Sequence, residues 1–303
     1  MEMQVFGEGL KFPEGPIAMA DGSVVLVEIR RGTLSRVAPG GRVEVIAELG
    51  GGPNGAAVGP DGAVYVCNNG GSFAWVGGDD VHMPGDKPGP YGGGSIQRVD
   101  LKTGAFATLY DSCDGRPLNG PNDLVFDDQG GFWFTCHGVS DGEARQLGGV
   151  YYARADGSEI TRWRHGQFSP NGIGLSPDGR TVYWADTWLQ RLWAMDLEAP
   201  GRPIPSPPHI PGRPVVNMPE LQFFDSLAVE ASGKVCVGTL LNGGITVIDP
   251  SGATEHVPFP DPMTTNICFG GQDMRDAWVT CSSTGKLVRC RWPRPGLRLA
   301  FNS

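Results

Sequence analysis

The chain has 303 residues, among them 47 glycines and 26 prolines, with 40% hydrophobic and only 19% charged residues. That mixture excludes disorder and points to many short strands joined by tight turns. A formal net charge of −9, with no stretch that gathers lysine and arginine, excludes nucleic acid as a partner and leaves room for a cationic ligand.

The opening segment, MEMQVFGEGLKFPEGP, has no basic stretch followed by an apolar run, so no signal peptide is expected. No apolar run reaches the length of a spanning helix, and no membrane partner is expected. The cysteines (Cys67, Cys113, Cys136, Cys236, Cys268, Cys281 and Cys290) are odd in number, widely spaced and without a CxxC pair. Buried free thiols in a reducing, cytoplasmic setting are the simpler expectation.

One unit recurs along the chain: a polar residue, a short apolar strand, a turn rich in Gly or Asp, and a second apolar or aromatic strand. The copies begin PEGPIAMADGSVVLVE at Pro13, PNGAAVGPDGAVYVCN at Pro53 and PNDLVFDDQGGFWFTC at Pro121. They continue with PNGIGLSPDGRTVYWAD at Pro170, FDSLAVEASGKVCVGT at Phe224 and TNICFGGQDMRDAWVT at Thr265. A second hairpin follows several copies, as in GVYYARADGSEITRWR and GGITVIDPSGATEHVPF. A period of about 50 residues built from four short strands predicts an all-β, six-bladed β-propeller with four-stranded antiparallel blades, spanning residues 1–303 as one domain. The strand around VFGEGL lacks a hairpin partner and is expected to join the last blade and close the ring.

Two segments depart from the repeat. Residues 69–95 are rich in Gly and Pro and predict a functional lid loop, with Trp75 and His82 as its anchors. The Pro-rich stretch 199–219 predicts a surface excursion on the outer strands.

The first strand of each propeller blade lines the channel, so the leading polar residues Glu14, Asn54, Asn122, Asn171, Asp225 and Asn266 should converge at one mouth. Their oxygens are hard ligands that suit calcium or magnesium better than zinc or copper. From the residues alone, Glu14, Asn171 and Asp225 are candidate metal ligands, with Asn122, Asn54 and Asn266 as further metal or substrate contacts. A turn-capping role for these Asn and Asp residues stands beside that reading. Glu28, Asn68 and Asp186, at the ends of the second strands, are candidates to orient the ligands from behind. His137 is a candidate proton carrier or a structural residue.

Together these motifs resemble the SMP-30/gluconolactonase family. The resemblance covers nearly the whole chain: an early EGP, ND before the third hairpin, PNG followed by SPDG and a Tyr-containing strand ending in AD, and a polar Asp before the fifth hairpin. It implies a six-bladed propeller that hydrolyses lactones with one divalent cation, calcium first, with magnesium, manganese or zinc as alternatives. It implies Glu14, Asn171 and Asp225 as the ligands, Asp225 also as general base, and Asn122 as an additional metal or substrate contact. The chain departs from the sugar-lactone enzymes at Gly120, where they often carry Arg, at Ser226, where they usually have Gly, and at His137. The partner implied is a small lactone, a sugar lactone or a less polar one, with the oligomeric state left open. The alternatives are another ester or phosphotriester hydrolase on the same site, or a binding module with a structural metal.

Overall fold

The computed structural model describes residues 1–78, 81–207 and 209–302. Six antiparallel sheets stand around a channel, and their innermost strands are Pro13–Ala18, Pro53–Val58, Pro121–Phe126, Pro170–Leu175, Phe223–Val229 and Thr264–Gly270. Each of these packs against the innermost strand of the blade before and after it. The expected ring closure is present: Met3–Gly7 pairs antiparallel with Lys286–Arg291 and completes the sixth blade.

The second strands read as continuous apolar runs because both their faces are covered. Val24–Glu28, Val64–Asn68 and Gly131–Cys136 are buried along their whole length. The outermost strands, such as Val43–Glu48 and Phe106–Tyr110, are largely open to water. Six hydrophobic clusters fill the spaces between neighbouring blades, from Val25 and Val66 between the first two to Trp278 and Leu26 between the last and the first. A closed series of such cores leaves no sheet face uncovered around the ring.

The Pro-rich stretch 199–219 is more than an excursion. Its Arg213–Asn217 forms the outer strand of the fourth blade, and Arg202–Pro203 adds a short fifth strand. Proline is tolerated there because an edge strand leaves one row of its backbone donors unpaired.

One irregularity repeats in every blade. The pairing of the innermost strand with its neighbour shifts register between Glu14 and Ile17, Pro53 and Gly55, and Pro121 and Leu124. The same shift lies between Pro170 and Ile173, Phe224 and Leu227, and Thr264 and Asn266. A bulge re-aims the side chain at its position, and these bulges coincide with the polar ring predicted from the repeat.

Neighbouring inner strands also approach very closely beside the ring. A Cβ on Gly55 would stand 2.6 Å from the Asn122 carbonyl oxygen and the Asp123 Cα. A Cβ on Gly172 would stand 2.5 Å from the Leu227 nitrogen. Both obstacles are backbone, which cannot swing aside, so the glycine of each PNG is a packing requirement.

The far mouth is closed by the C-terminal segment. Gly296 and Leu297 donate backbone hydrogen bonds to Met274 and Val229, and Phe301 packs edge-on against Phe126. The segment is anchored by fully buried Glu230, which accepts hydrogen bonds from Arg294 and the Trp292 indole.

Gly172→Ala is expected to fold but to lose about 1–3 kcal/mol through overpacking against the fifth blade. Thermal or denaturant unfolding measures this, and an unchanged midpoint would show that the strands can move apart.

Candidate functional site

At the open mouth, Glu14, Asn54, Asn122, Asn171 and Asp225 line one cavity of about 330 Å³ together with His137. The bulges carry the first five side chains inward from the first five blades. Glu14, Asn54, Asn122 and Asn171 are buried, whereas Asp225 is partly open to the cavity.

The hydrogen bonding of these groups is incomplete in a particular way. Glu14 Oε2 accepts from the Gly15 amide at 2.7 Å and from Asn266 Nδ2 at 2.8 Å, while Oε1 has no partner. Asn171 Nδ2 donates to Thr187 Oγ1 at 3.1 Å, and its Oδ1 has no partner. Asn122 Oδ1 is likewise buried and unpaired. Burying an acceptor without a donor costs about 1–3 kcal/mol, so three in one cavity call for a cationic partner.

Electrostatics point the same way. Burial, opposed by hydrogen bonds from Thr265 and Asn266, raises the Glu14 carboxyl above its ordinary range. Asp225 is held well above its ordinary range by burial first and by the charge of Glu14 second. Asp123, beside Asn122, is pushed up to about 8 for the same two reasons in the same order. Glu14 and Asp225 at the open mouth, and Asp123 on the cavity at the far mouth, disfavour one another's ionisation, which positive charge near them would relieve.

Oxygen donors from Glu14, Asp225, Asn171 and Asn122 could hold a hard divalent cation such as calcium. The set is mixed, two carboxylates with neutral amides. Among the described residues no group of three or more His, Cys, Asp or Glu is arranged to hold a metal.

Other predicted residues fall elsewhere. Asn266 faces the smaller cavity at the far mouth, of about 90 Å³, and both ends of its amide are committed, Nδ2 to Glu14 and Oδ1 to the Ile267 amide. It therefore holds Glu14 in place and presents no uncommitted amide atom to the open mouth. Glu28, Asn68 and Asp186 also make no hydrogen bond to the candidate ligands. Each lies at the end of a second strand and pins a nearby turn: Glu28 takes the Lys11 amide and Ser35, Asn68 the Gly52 amide, and Asp186 the Ser169 hydroxyl. The groups that do orient the donors are Thr187, Thr135, whose hydroxyl donates to the Asn171 carbonyl, and Asn266.

Residues of the lid segment divide in two. Trp75 packs on Phe12 with ring centroids 5.1 Å apart, and buried His82 pairs with Arg30 and donates its amide to the Ser283 carbonyl. Both are anchors, while Phe73, Pro84 and Asp86 of the same segment line the cavity. Tyr91 fixes the segment's return, donating to the Asn69 carbonyl and accepting from the Gly120 amide.

His137 lies with its ring partly open to the cavity and Nδ1 buried without a partner. Burial first, and the nearby Arg145 charge second, push it down to about 3. The imidazole is neutral at physiological pH. Phe12, at a positive φ of 57°, turns its ring into the cavity wall, a conformation costing about 1–3 kcal/mol that the packing around it maintains.

A carboxyl raised in the folded state is still protonated at pH values where the unfolded chain has lost its proton. The stability tied to it is complete below the ordinary value of 3.8 and is lost as pH rises through the folded value, about 8 for Asp123. With a chelator present, the melting temperature is expected to fall between about pH 5 and pH 8, and Asp123→Asn to flatten that fall. A flat profile for the parent protein in differential scanning fluorimetry would contradict the arrangement.

The family description SMP-30/Gluconolactonase/LRE-like region matches residues 12–283. A gluconolactonase from Zymomonas mobilis is 23% identical over 322 aligned residues, covering 95% of this chain and 81% of the relative. Regucalcin from Pongo abelii is 30% identical over 118 residues, 38% of each chain. Among solved structures, a gluconolactonase from Xanthomonas campestris superposes with a TM-score of 0.74 at 22% identity, over 96% of this chain and 89% of that one. A calcium-binding regucalcin from Agrobacterium tumefaciens gives 0.72 at 21% identity, over 96% and 95%.

Proposed function

The chain belongs to the SMP-30/gluconolactonase family, and from that premise we propose that it hydrolyses a lactone at the open mouth of the channel, with a divalent cation as cofactor. The observation that carries this reading is the set of three buried, unpaired oxygens, Glu14 Oε1, Asn122 Oδ1 and Asn171 Oδ1, gathered around partly open Asp225. Such a set is unfavourable alone and suits a hard cation, calcium before magnesium or manganese, and zinc least. When bound, the cation would supply Lewis-acid polarisation of the ester carbonyl and stabilisation of developing oxyanion charge.

The chain's own residues divide the remaining work. Asp225, the partly open carboxyl of the polar ring, orients the attacking water and, as the carboxylate, takes its proton. The water oxygen adds to the carbonyl carbon, the ring C–O bond breaks, and the proton passes to the released alkoxide, giving a hydroxy acid. Neutral His137 takes part as a hydrogen-bonding group that steers the water or the leaving oxygen, and not as a charged acid. Phe73, Pro84 and Asp86 roof the cavity and limit bulk water around the ester. Seven cysteines without a disulfide among the described residues support a reducing, cytoplasmic setting as part of this reading.

Metal-depleted protein is expected to lose lactone hydrolysis and to regain it with added calcium, and full activity under chelation would remove the cation from the reaction. Asp225→Asn should lower kcat by about 10²–10⁴ while the far-UV spectrum stays unchanged. His137→Gln should lower kcat less, and the pH–rate profile of the parent protein should show no inflection near 6.5, because the imidazole is already neutral there.

A further inference from the structure

The cavity wall opposite the apolar side carries a cation that the hydrolysis itself does not use. Arg145 lines the cavity and is half-buried. Its Nε donates to the Phe168 carbonyl at 2.8 Å, and Nη2 donates to the His137 carbonyl at 2.6 Å. Its guanidinium also lies over the Phe168 ring at 5.6 Å. These contacts fix the plane of the group, yet among the described residues no carboxylate stands within ion-pair distance of it. The Nη1 donors, and the second hydrogen of Nη2, are left uncommitted. Those two nitrogens form one edge of the guanidinium, the edge that grips a carboxylate with two parallel hydrogen bonds.

The nearby acids do not occupy that edge. Asp186 acts on Arg145 only through its field, and its oxygens are taken by Ser169 and the Leu189 amide. Asp86 is an exposed residue of the lid segment at the rim. Lys87, the next residue, pairs with Asp141.

Facing Arg145, the other side of the cavity is formed by Phe12, Ile29, Phe73, Leu240 and Met263. It offers no side-chain hydrogen-bond partner to a polyhydroxy ring. A sugar lactone buried against it would leave hydroxyls unpaired, whereas a hydrocarbon body would be welcome.

We propose that the substrate is an amphipathic lactone carrying a carboxylate, which Arg145 receives while the apolar body packs against the Phe12 and Phe73 wall. This rests on the hydrolase reading above and names the substrate class for that same site.

The test compares γ-valerolactone with the same ring bearing a carboxylate in place of its methyl group, both with saturating calcium. The parent protein should favour the carboxylated ring in kcat/KM by about 10- to 100-fold, the range of a hydrogen-bonded charge pair. Arg145→Met should bring that ratio close to one, and Arg145→Lys should retain part of it. Because the ratio is taken within each protein, a general loss from disturbing the His137 loop cancels. No preference in the parent, or a ratio that survives Arg145→Met, overturns the proposal. Should neither lactone be hydrolysed, the failure lies with the hydrolase reading, and calorimetry with cyclopentanecarboxylate decides on Arg145. Binding that weakens about tenfold in Arg145→Met supports the carboxylate site, and binding absent from the parent or unchanged by the substitution overturns it.

Discussion

The channel is held at its narrow diameter by backbone meeting backbone. Where the inner strands of neighbouring blades touch, there is no room for a β-carbon at Gly55 or Gly172, and each inner strand breaks register at that level. These two facts belong together. A strand squeezed against its neighbour cannot keep a regular pleat on that side, and the bulge that relieves the squeeze turns one side chain toward the axis. The polar ring is therefore a product of the closure geometry. Blades that must converge deliver one side chain each, and the sequence decides only which type arrives. Glu14 and Asp225 bring carboxyls, while Asn54, Asn122 and Asn171 bring amides.

Energetically this arrangement is unfavourable by itself. Glu14, Asp123 and Asp225 oppose one another's charge in a space with little water, and three acceptors have no donor. The six interblade cores supply the stability that allows such a centre to persist, and residues such as Asn266 and Thr187 hold its members in fixed orientations. A site pre-arranged in this way has no reorganisation left to do when charge develops in it, which is the property that metal-assisted ester cleavage asks of a protein.

Much of this was legible in the sequence because a propeller repeats itself. The spacing of the polar residues disclosed six blades, the unpaired opening strand disclosed the closure, and five of the six ring residues reach one cavity. What escaped was local. Strict alternation sends Asp123 away from the axis if Asn122 points toward it, and only the bulge between Pro121 and Leu124 lets both matter. Asn266 looked equivalent to the other ring residues, yet its amide is consumed by Glu14 and by its own strand. Glu28, Asn68 and Asp186 shared a repeat position, and at that position the second strand faces its own turns. Arg145 could not be read at all, since it belongs to a two-residue ladder, Val139–Ser140 with Arg145–Gln146, inserted outside the repeat. Periodicity reveals what the blades share, and a site's selectivity resides in what they do not.

The way the ring closes also sets a timetable for synthesis. In chain order Met3–Gly7 precedes every other strand of the six blades, and its partner, Lys286–Arg291, follows them all. Five blades can assemble in succession as an open arc, each burying its apolar face on the one before, while the first strand waits with its hydrogen-bonding edge unmatched. During that interval the arc has two free ends, and the oxygens of Glu14 and Asp225 need not yet share an axis. The waiting strand is only five residues long and its middle is exposed even in the finished ring, which limits its attraction for wrong partners. Docking of that strand then completes the ring, and with it the cluster of polar side chains at the channel mouth.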